Sequence, residues 1–453
     1  MRATRILRNT NLNLKHQNFV KPTLETFGVF KSIFKWSSFF SLVGLVGTLA
    51  TFEGVNQYVE FTKLDKAASY QYPPPDDADE WSIENDDWSG GLNGGTESSL
   101  PWKAAHLIRS AWIALEWGVG TASSAASLNP SLDMSQSYLL SAITHVEAAH
   151  SVKNKDAVLN ALYLRLADIR QRAGTRVSLN NALDGYEQVH SFLVAHSAPT
   201  AMIIKVEKRA GDVCKALGLD KESERWYLKG LSRVSTPQKT NASNTSYLPS
   251  WLTRRPQLDS HVDASRLSPA QFRAYVDTLL SLSRLYATSN RLSEASTIQK
   301  RLVNVLTKEL ESVKGLQGDW IRHSLALSEV HLAEVTYAIS HKNLHESLGW
   351  LQDAEHLSLS ANKSVSGVYA SDAYRKRQAH KLTSASRRTA AECAYLSGML
   401  HQSRNDTQRA LGCFERAIKY ALQVNSLTKD LLDSLANDPL NRKYLDAYKN
   451  VRN

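Results

Sequence analysis

One spacing recurs in the larger, C-terminal part of this 453-residue chain and narrows what it can fold into. Gly211, Ser223, Tyr227 and Gly230 return as Gly398, Ala410, Phe414 and Ala417, with the same steps of 12, 4 and 3 residues. A third copy keeps Ser283, Tyr286, Ala295 and Leu302. A small residue facing a small residue lets two helix axes approach, and a ring one turn later fills the gap to the next pair. From Pro101 onward apolar residues fall at helical intervals, strand-like alternation is rare and most prolines sit in connections. The expected fold class is therefore all-α, built from helical hairpins.

This pattern resembles the tetratricopeptide repeat. RALGCFERAIKYAL at 409–422 matches the second helix of that repeat best, followed by LGLDKESERWYLKGL at 217–231. Weaker copies are ALYLRLADIRQRAG with NALDGYEQVHSFL, and HLAEVTYAIS with ESLGWLQDAEHL. The small anchor residues Ala182, Ser223, Ala295, Ser347 and Ala410 stand 41, 72, 52 and 63 residues apart, whereas the family repeats at about 34. Insertions must separate the hairpins, the clearest being the polar, proline-punctuated stretch near 236–257. A generic helical bundle is the plainer alternative. The expectation is a divergent α-solenoid over 101–426, closed at 427–453 by capping helices that cover the last apolar face. The resemblance implies that first helices line a groove for peptides. It places Lys208, Asp212 and Lys215 on one stripe there, with Arg284, Met399 and Gln402 at equivalent positions. These residues do not reproduce the Asn and Lys/Arg pattern with which some members clamp a C-terminal carboxylate.

The first hundred residues carry a different signal. Residues 1–35 hold seven basic residues against Glu25 alone, 36–100 are acidic with a net charge of −9, and the remainder is net +13. The overall +10 hides an acidic segment between two basic ones. Between Trp36 and Phe52 lies an uncharged apolar stretch that includes Phe39, Phe40, Leu42, Val43, Leu45, Val46 and Leu49. Its 17 residues meet the lower limit for crossing roughly 30 Å of hydrocarbon. A retained single-span anchor is expected, with the basic flank and the body on opposite sides of the membrane. Residues 1–24, with five basic residues and no acid, resemble a mitochondrial presequence, although they are Asn-rich. That reading puts residues 1–35 in the matrix and the body in the intermembrane space. An outer-membrane or endoplasmic-reticulum signal anchor is the alternative. Residues 53–100, with YPPPDDADEW and ENDDWSGGLNGGTESS, read as an acidic, extended tether. Trp81 and Trp88 are unusual in a solvated tether and are candidates for docking onto the body or a partner.

Little in the chain points to chemistry. SGGLNGG lacks the Gly-Lys-Ser/Thr ending of a phosphate loop, and no strand precedes it. His145 and His150 are five apart, which sets them about 140° apart on a helix, unlike the i, i+4 pair of a zinc motif. Cys214, Cys393 and Cys413 form no C-x-x-C pair, so they are expected as small buried residues. The chain is expected to be non-enzymatic, with no cofactor, metal or nucleic acid. The basic run Arg375, Lys376, Arg377, Lys381, Arg387 and Arg388 is a candidate contact for an acidic partner or anionic lipid.

Presequence-like start, single span, acidic tether and divergent repeat body together resemble the fungal tetratricopeptide adaptor subunits of the mitochondrial inner-membrane i-AAA protease. The resemblance implies a non-catalytic inner-membrane protein that captures unfolded or membrane-tethered substrates and passes them to AAA protease subunits. A scaffold for respiratory-complex assembly and an outer-membrane import receptor are the alternatives.

Overall fold

The computed structural model describes residues 47, 50–64, 78–81, 95–118, 129–234, 264–365, 373–424 and 441–452. The chain divides into two compact units, Met1–Lys63 and Leu64–Asn453. In the first, residues 50–62 are helical. Side chains brace this helix against its own preceding turn, with Asn56 Nδ2 donating to the Phe52 carbonyl at 2.9 Å and Thr62 Oγ1 to that of Tyr58 at 2.6 Å. Part of the expected extended tether, residues 53–62, is thus helix. The reason is local, because the Pro- and Gly-rich composition that favours extended chain begins only at Pro73. Of the expected anchor residues only Phe52 is described. The rest lie outside the described residues, among which no helix is long and apolar enough to cross a membrane.

The second unit is helical throughout its regular elements, and no strand occurs among the described residues. Six antiparallel pairs follow one another there: α1 (Trp102–Trp117) with α2 (Pro130–Ala148), α3 (Lys155–Ala173) with α4 (Arg176–Ala195), and α5 (Thr200–Ala216) with α6 (Asp220–Ser232). Then come α7 (Pro269–Thr288) with α8 (Leu292–Ser312), α9 (Gly315–Ile339) with α10 (Leu344–Val365), and α11 (Ala373–Ser403) with α12 (Thr407–Leu422). Each second helix packs on the first helix of the next hairpin. First helices also touch each other, α5 on α7, α7 on α9 and α9 on α11, and so line one continuous inner strip. The polar stretch near 236–257 lies outside the described residues.

Three hairpins turn in the same way, and the residue types explain why. Seven residues after the small residues Gly211, Ser283 and Gly398 come Gly218, Asn290 and Asn405, with φ of 79°, 59° and 60°. Gly and Asn tolerate this left-handed backbone best. In each case the next residue donates its N–H five positions back, Leu219 to Cys214, Arg291 to Tyr286 and Asp406 to His401, at 2.8 to 3.1 Å. These bonds satisfy carbonyls that the ending helix would otherwise leave unpaired.

Five residues beyond the turn, Ser223, Ala295 and Ala410 are fully buried. Ser223 Oγ donates to the Gly211 carbonyl at 2.8 Å, and Ser283 Oγ to that of Ala295 at 3.2 Å, so each hydroxyl is satisfied across its hairpin. Tyr227 and Phe414 lay their rings over Gly211 and Gly398. Gly230 packs beside Ile204 and the Glu207 side chain, and Ala417 is fully buried. Tyr286 acts differently from Tyr227: its hydroxyl reaches Glu224 on the preceding hairpin at 2.7 Å, and the Arg291 guanidinium stacks 3.9 Å from its ring centre. At the far end α13 (Arg442–Arg452) buries Tyr444 and Leu445 against Ala391, Ala394, Ala417 and Ile418.

Candidate partner-binding groove

The inner strip begins on α5. Lys208 Nζ pairs with Asp212 Oδ2 at 2.8 Å, and Asp212 Oδ1 accepts the Tyr227 hydroxyl at 2.7 Å. Asp212 therefore holds its own hairpin together as well as facing the strip. Lys215 Nζ donates across to α7, to the Arg284 carbonyl at 3.2 Å and to the Thr288 hydroxyl. Burial lowers its pKa, and Asp220 opposes that shift. Arg284 is exposed, and its guanidinium forms no ion pair among the described residues. Its charge acts on Lys215, Tyr227, His331 and Glu334, so it sits at the centre of the strip.

Beside Arg284 a cavity of about 250 Å³ opens between α7 and α9, walled by Ala287, Leu292, His331, Glu334 and Val335. That volume suits one side chain and falls short of a typical small-molecule pocket. Desolvation pushes the His331 imidazole down to about 4, with Arg284 adding to the shift, so the ring is neutral at pH 7. Glu334 is reachable by solvent yet lies low among packed helices. Desolvation, reinforced by Glu392, raises its pKa against the opposing charges of Arg284 and Lys443. Glu392 on α11 accepts from Lys443 Nζ at 2.6 Å and from the Tyr444 hydroxyl at 3.0 Å, tying the capping helix to the strip. The arrangement can hold an extended chain by charge and by one inserted side chain.

Of the residues that the repeat resemblance assigns to a groove, Lys208, Asp212, Lys215 and Arg284 come together on adjoining helices. Met399 and Gln402 are exposed near the end of α11, and among the described residues no hydrogen bond or ion pair joins their side chains to the strip. Thr288, His331, Glu334, Glu392 and Lys443 belong to it and were not singled out from sequence. The available signal was the i, i+3 pair His331 and Glu334, set beside the buried Leu332, Ala333 and Val335. The six cations of the 375–388 run are not one free face. Arg375, Arg377 and Lys381 each engage another group of the chain. Arg387 Nε donates to the Thr383 carbonyl at 3.4 Å, and only Lys376 and Arg388 among the six are exposed with neither kind of bond.

His150 lies beyond the end of α2, so it shares no helix face with His145. Among the described residues no group of three or more His, Cys, Asp or Glu is placed to hold a metal ion. All three cysteines are buried and unpaired.

No family model and no curated protein matches the chain. Among solved structures, BtubC (BKLC) from P. vanneervenii is 13% identical with a TM-score of 0.32, covering 62% of this chain and 91% of its own. A tetratricopeptide repeat protein from Parabacteroides merdae is 13% identical with a TM-score of 0.30, covering 78% of this chain and 100% of its own. A circular tandem repeat protein is 11% identical with a TM-score of 0.21, covering 77% of this chain and 70% of its own. The described body is an all-α array of helical hairpins, with shared turns, facing small residues and a layer of first helices in contact.

Proposed function

We propose that the inner strip binds an extended segment of a partner protein and that the chain is a non-catalytic adaptor. The observation that carries this is Arg284: an exposed guanidinium with no ion pair among the described residues, beside a cavity sized for one side chain. An exposed cation at an apolar recess suits a segment that offers a carboxylate next to an apolar residue. The N-terminal sequence supports a finer reading, in which the body hangs from a single span of the mitochondrial inner membrane in the intermembrane space. Held there, it would capture unfolded or membrane-tethered substrates for the i-AAA protease. Tethering both parties to one membrane raises their effective concentration and compensates for weak binding.

Protease protection in intact and outer-membrane-ruptured mitochondria tests the compartment, and co-purification of the full-length protein in mild detergent tests the partner. The reading predicts a body protected until the outer membrane is ruptured, and recovery of AAA protease subunits. Recovery of respiratory-complex subunits in their place points to the assembly scaffold, and digestion in intact mitochondria to an outer-membrane protein. Either result overturns the adaptor reading.

A further inference from the structure

Residues 78–81 are far from the inner strip in role, and their contacts are unusually specific for four residues. Trp81 is 2% exposed, set among Leu316, Val365, Ala379 and Leu382, with Trp320 packed alongside. The Arg273 guanidinium lies 3.8 Å from the centre of its ring, a cation–π contact removed from water. Arg273 Nη2 also donates to the Glu80 carbonyl at 3.3 Å. The Glu80 carboxylate accepts the Ala270 N–H at 3.1 Å, at the start of α7. Pro269 has no N–H, and the Gln271 N–H is taken by Ser268 in a capping box. Ala270 thus presents the donor that the cap leaves over, where a carboxylate also meets the positive end of the helix dipole. Glu80 adopts a left-handed backbone, φ 55°, to make both contacts.

The receiving wall is organised by groups of the body itself. Arg273 Nη1 is held by Gln317 Oε1 at 2.6 Å, and the capping box closes α7 without help from Glu80. We propose that this is a binding site for a glutamate–tryptophan segment, filled in cis by Glu80 and Trp81 as a detachable ligand. The indole goes to the apolar recess beneath Arg273, and the preceding carboxylate goes to the Ala270 N–H. The same acid-then-tryptophan order recurs in the sequence at Asp87 and Trp88. Trp88 lies outside the described residues. The site differs from the inner strip in residues and in chemistry, so it stands or falls independently of the adaptor reading.

The test uses the full-length protein with Trp81→Ala and a fluorescent peptide of the sequence of residues 76–84, DDADEWSIE. Trp81→Ala should bind the peptide at least about tenfold more tightly than the unaltered protein, whose own segment competes at an effective concentration on the order of millimolar. Replacing the peptide's tryptophan by alanine should abolish binding. Replacing its Glu80-equivalent by glutamine should weaken binding roughly threefold to tenfold, by loss of a charged acceptor. Should Trp81→Ala lose its helical circular dichroism, Trp81→Leu keeps an apolar side chain without the ring that stacks on Arg273 and should show a smaller gain in the same direction over the unaltered protein. Equal binding by unaltered and substituted proteins, or equal binding of the alanine peptide, overturns the proposal.

Discussion

Gly398 on α11 faces Phe414 on α12 so closely that a β-carbon at 398 would stand 2.6 Å from the ring. Gly211 and Tyr227 repeat this relationship at 2.5 Å three hairpins earlier. In the fourth hairpin Ser283 takes the glycine's place, and sixteen residues on, where the other two carry a ring, stands the fully buried Gln299. Ring and glycine therefore occur together, and a larger residue on the first helix goes with loss of the ring.

Gly398→Ala is predicted to destabilise the fold. Overpacking costs roughly 1 to 3 kcal/mol, while replacing a mid-helix glycine returns roughly 0.5 to 1. The clash is with a packed ring on the facing helix, so the net expectation is a loss of about 1 kcal/mol or more in denaturant melts. Phe414→Leu in the same chain should recover part of that loss in a double-mutant cycle. Gly412 on α12 has nothing within 4 Å of its would-be β-carbon, so Gly412→Ala should raise stability by roughly 0.5 to 1 kcal/mol. Destabilisation at both positions would refute the packing account.

The turn residues give a second prediction. Gly218→Ala places a β-carbon in left-handed backbone, and Asn405→Ala removes the short polar side chain that eases that conformation, each at a cost of about 1 kcal/mol. Asn405→Gly should leave stability unchanged or slightly higher, since glycine adopts this conformation freely. Thermal melts of the three variants order the outcomes, and an alanine indistinguishable from glycine at 405 would contradict the turn geometry.

The 12-4-3 spacing marked the third and sixth hairpins because glycine, ring and second small residue all fall on one packed interface. The fifth hairpin gave a weaker signal for a physical reason. Its helices are joined through an extended Ser340 and a short 3-10 turn at His341–Asn343, so the turn residues of the other hairpins are missing. The left-handed asparagines were visible in the sequence only once the register was known. The recess at Arg284 was less legible still, because Arg284 and His331 meet only through the packing of α7 on α9. Trp81 was an open question in sequence: its acidic, proline-rich surroundings read as tether, and its burial depends on Arg273 nearly two hundred residues away.

Glu329 on α9 predicts a pH dependence. It is 6% exposed, its Oε2 has no hydrogen-bond partner among the described residues, and burial, with Asp353 adding, raises its carboxyl to about 8. The folded state therefore holds this proton more tightly than the unfolded chain. Its contribution favours the folded state at low pH and is lost as pH rises from the ordinary carboxylate range through about 8. Glu329→Gln should flatten that part of the stability profile and stabilise the protein at pH 8, by roughly 2 kcal/mol if a buried carboxylate costs what such groups usually do. Denaturant melts at pH 5 and pH 8 check it, and a variant with the unaltered pH profile would rule Glu329 out as the cause.

Arg284→Glu tests the inner strip most directly. The guanidinium is exposed and forms no ion pair among the described residues, so the change should move stability by no more than about 0.5 kcal/mol. Reversing its charge should weaken an acidic extended peptide by about tenfold or more, the size of a lost charge-assisted contact. Glu334 supplies an independent readout. Its pKa is raised, so it ionises above the ordinary glutamate range, facing Arg284 and His331 with Glu392 and Lys443 beyond. Each step up in pH through that range adds a negative charge beside Arg284 and should lower affinity for the acidic peptide. Glu334→Gln should remove the pH dependence while keeping the affinity seen at low pH. Fluorescence anisotropy across pH 5 to 8 separates the two effects, and unchanged binding by Arg284→Glu would exclude this strip as the partner site.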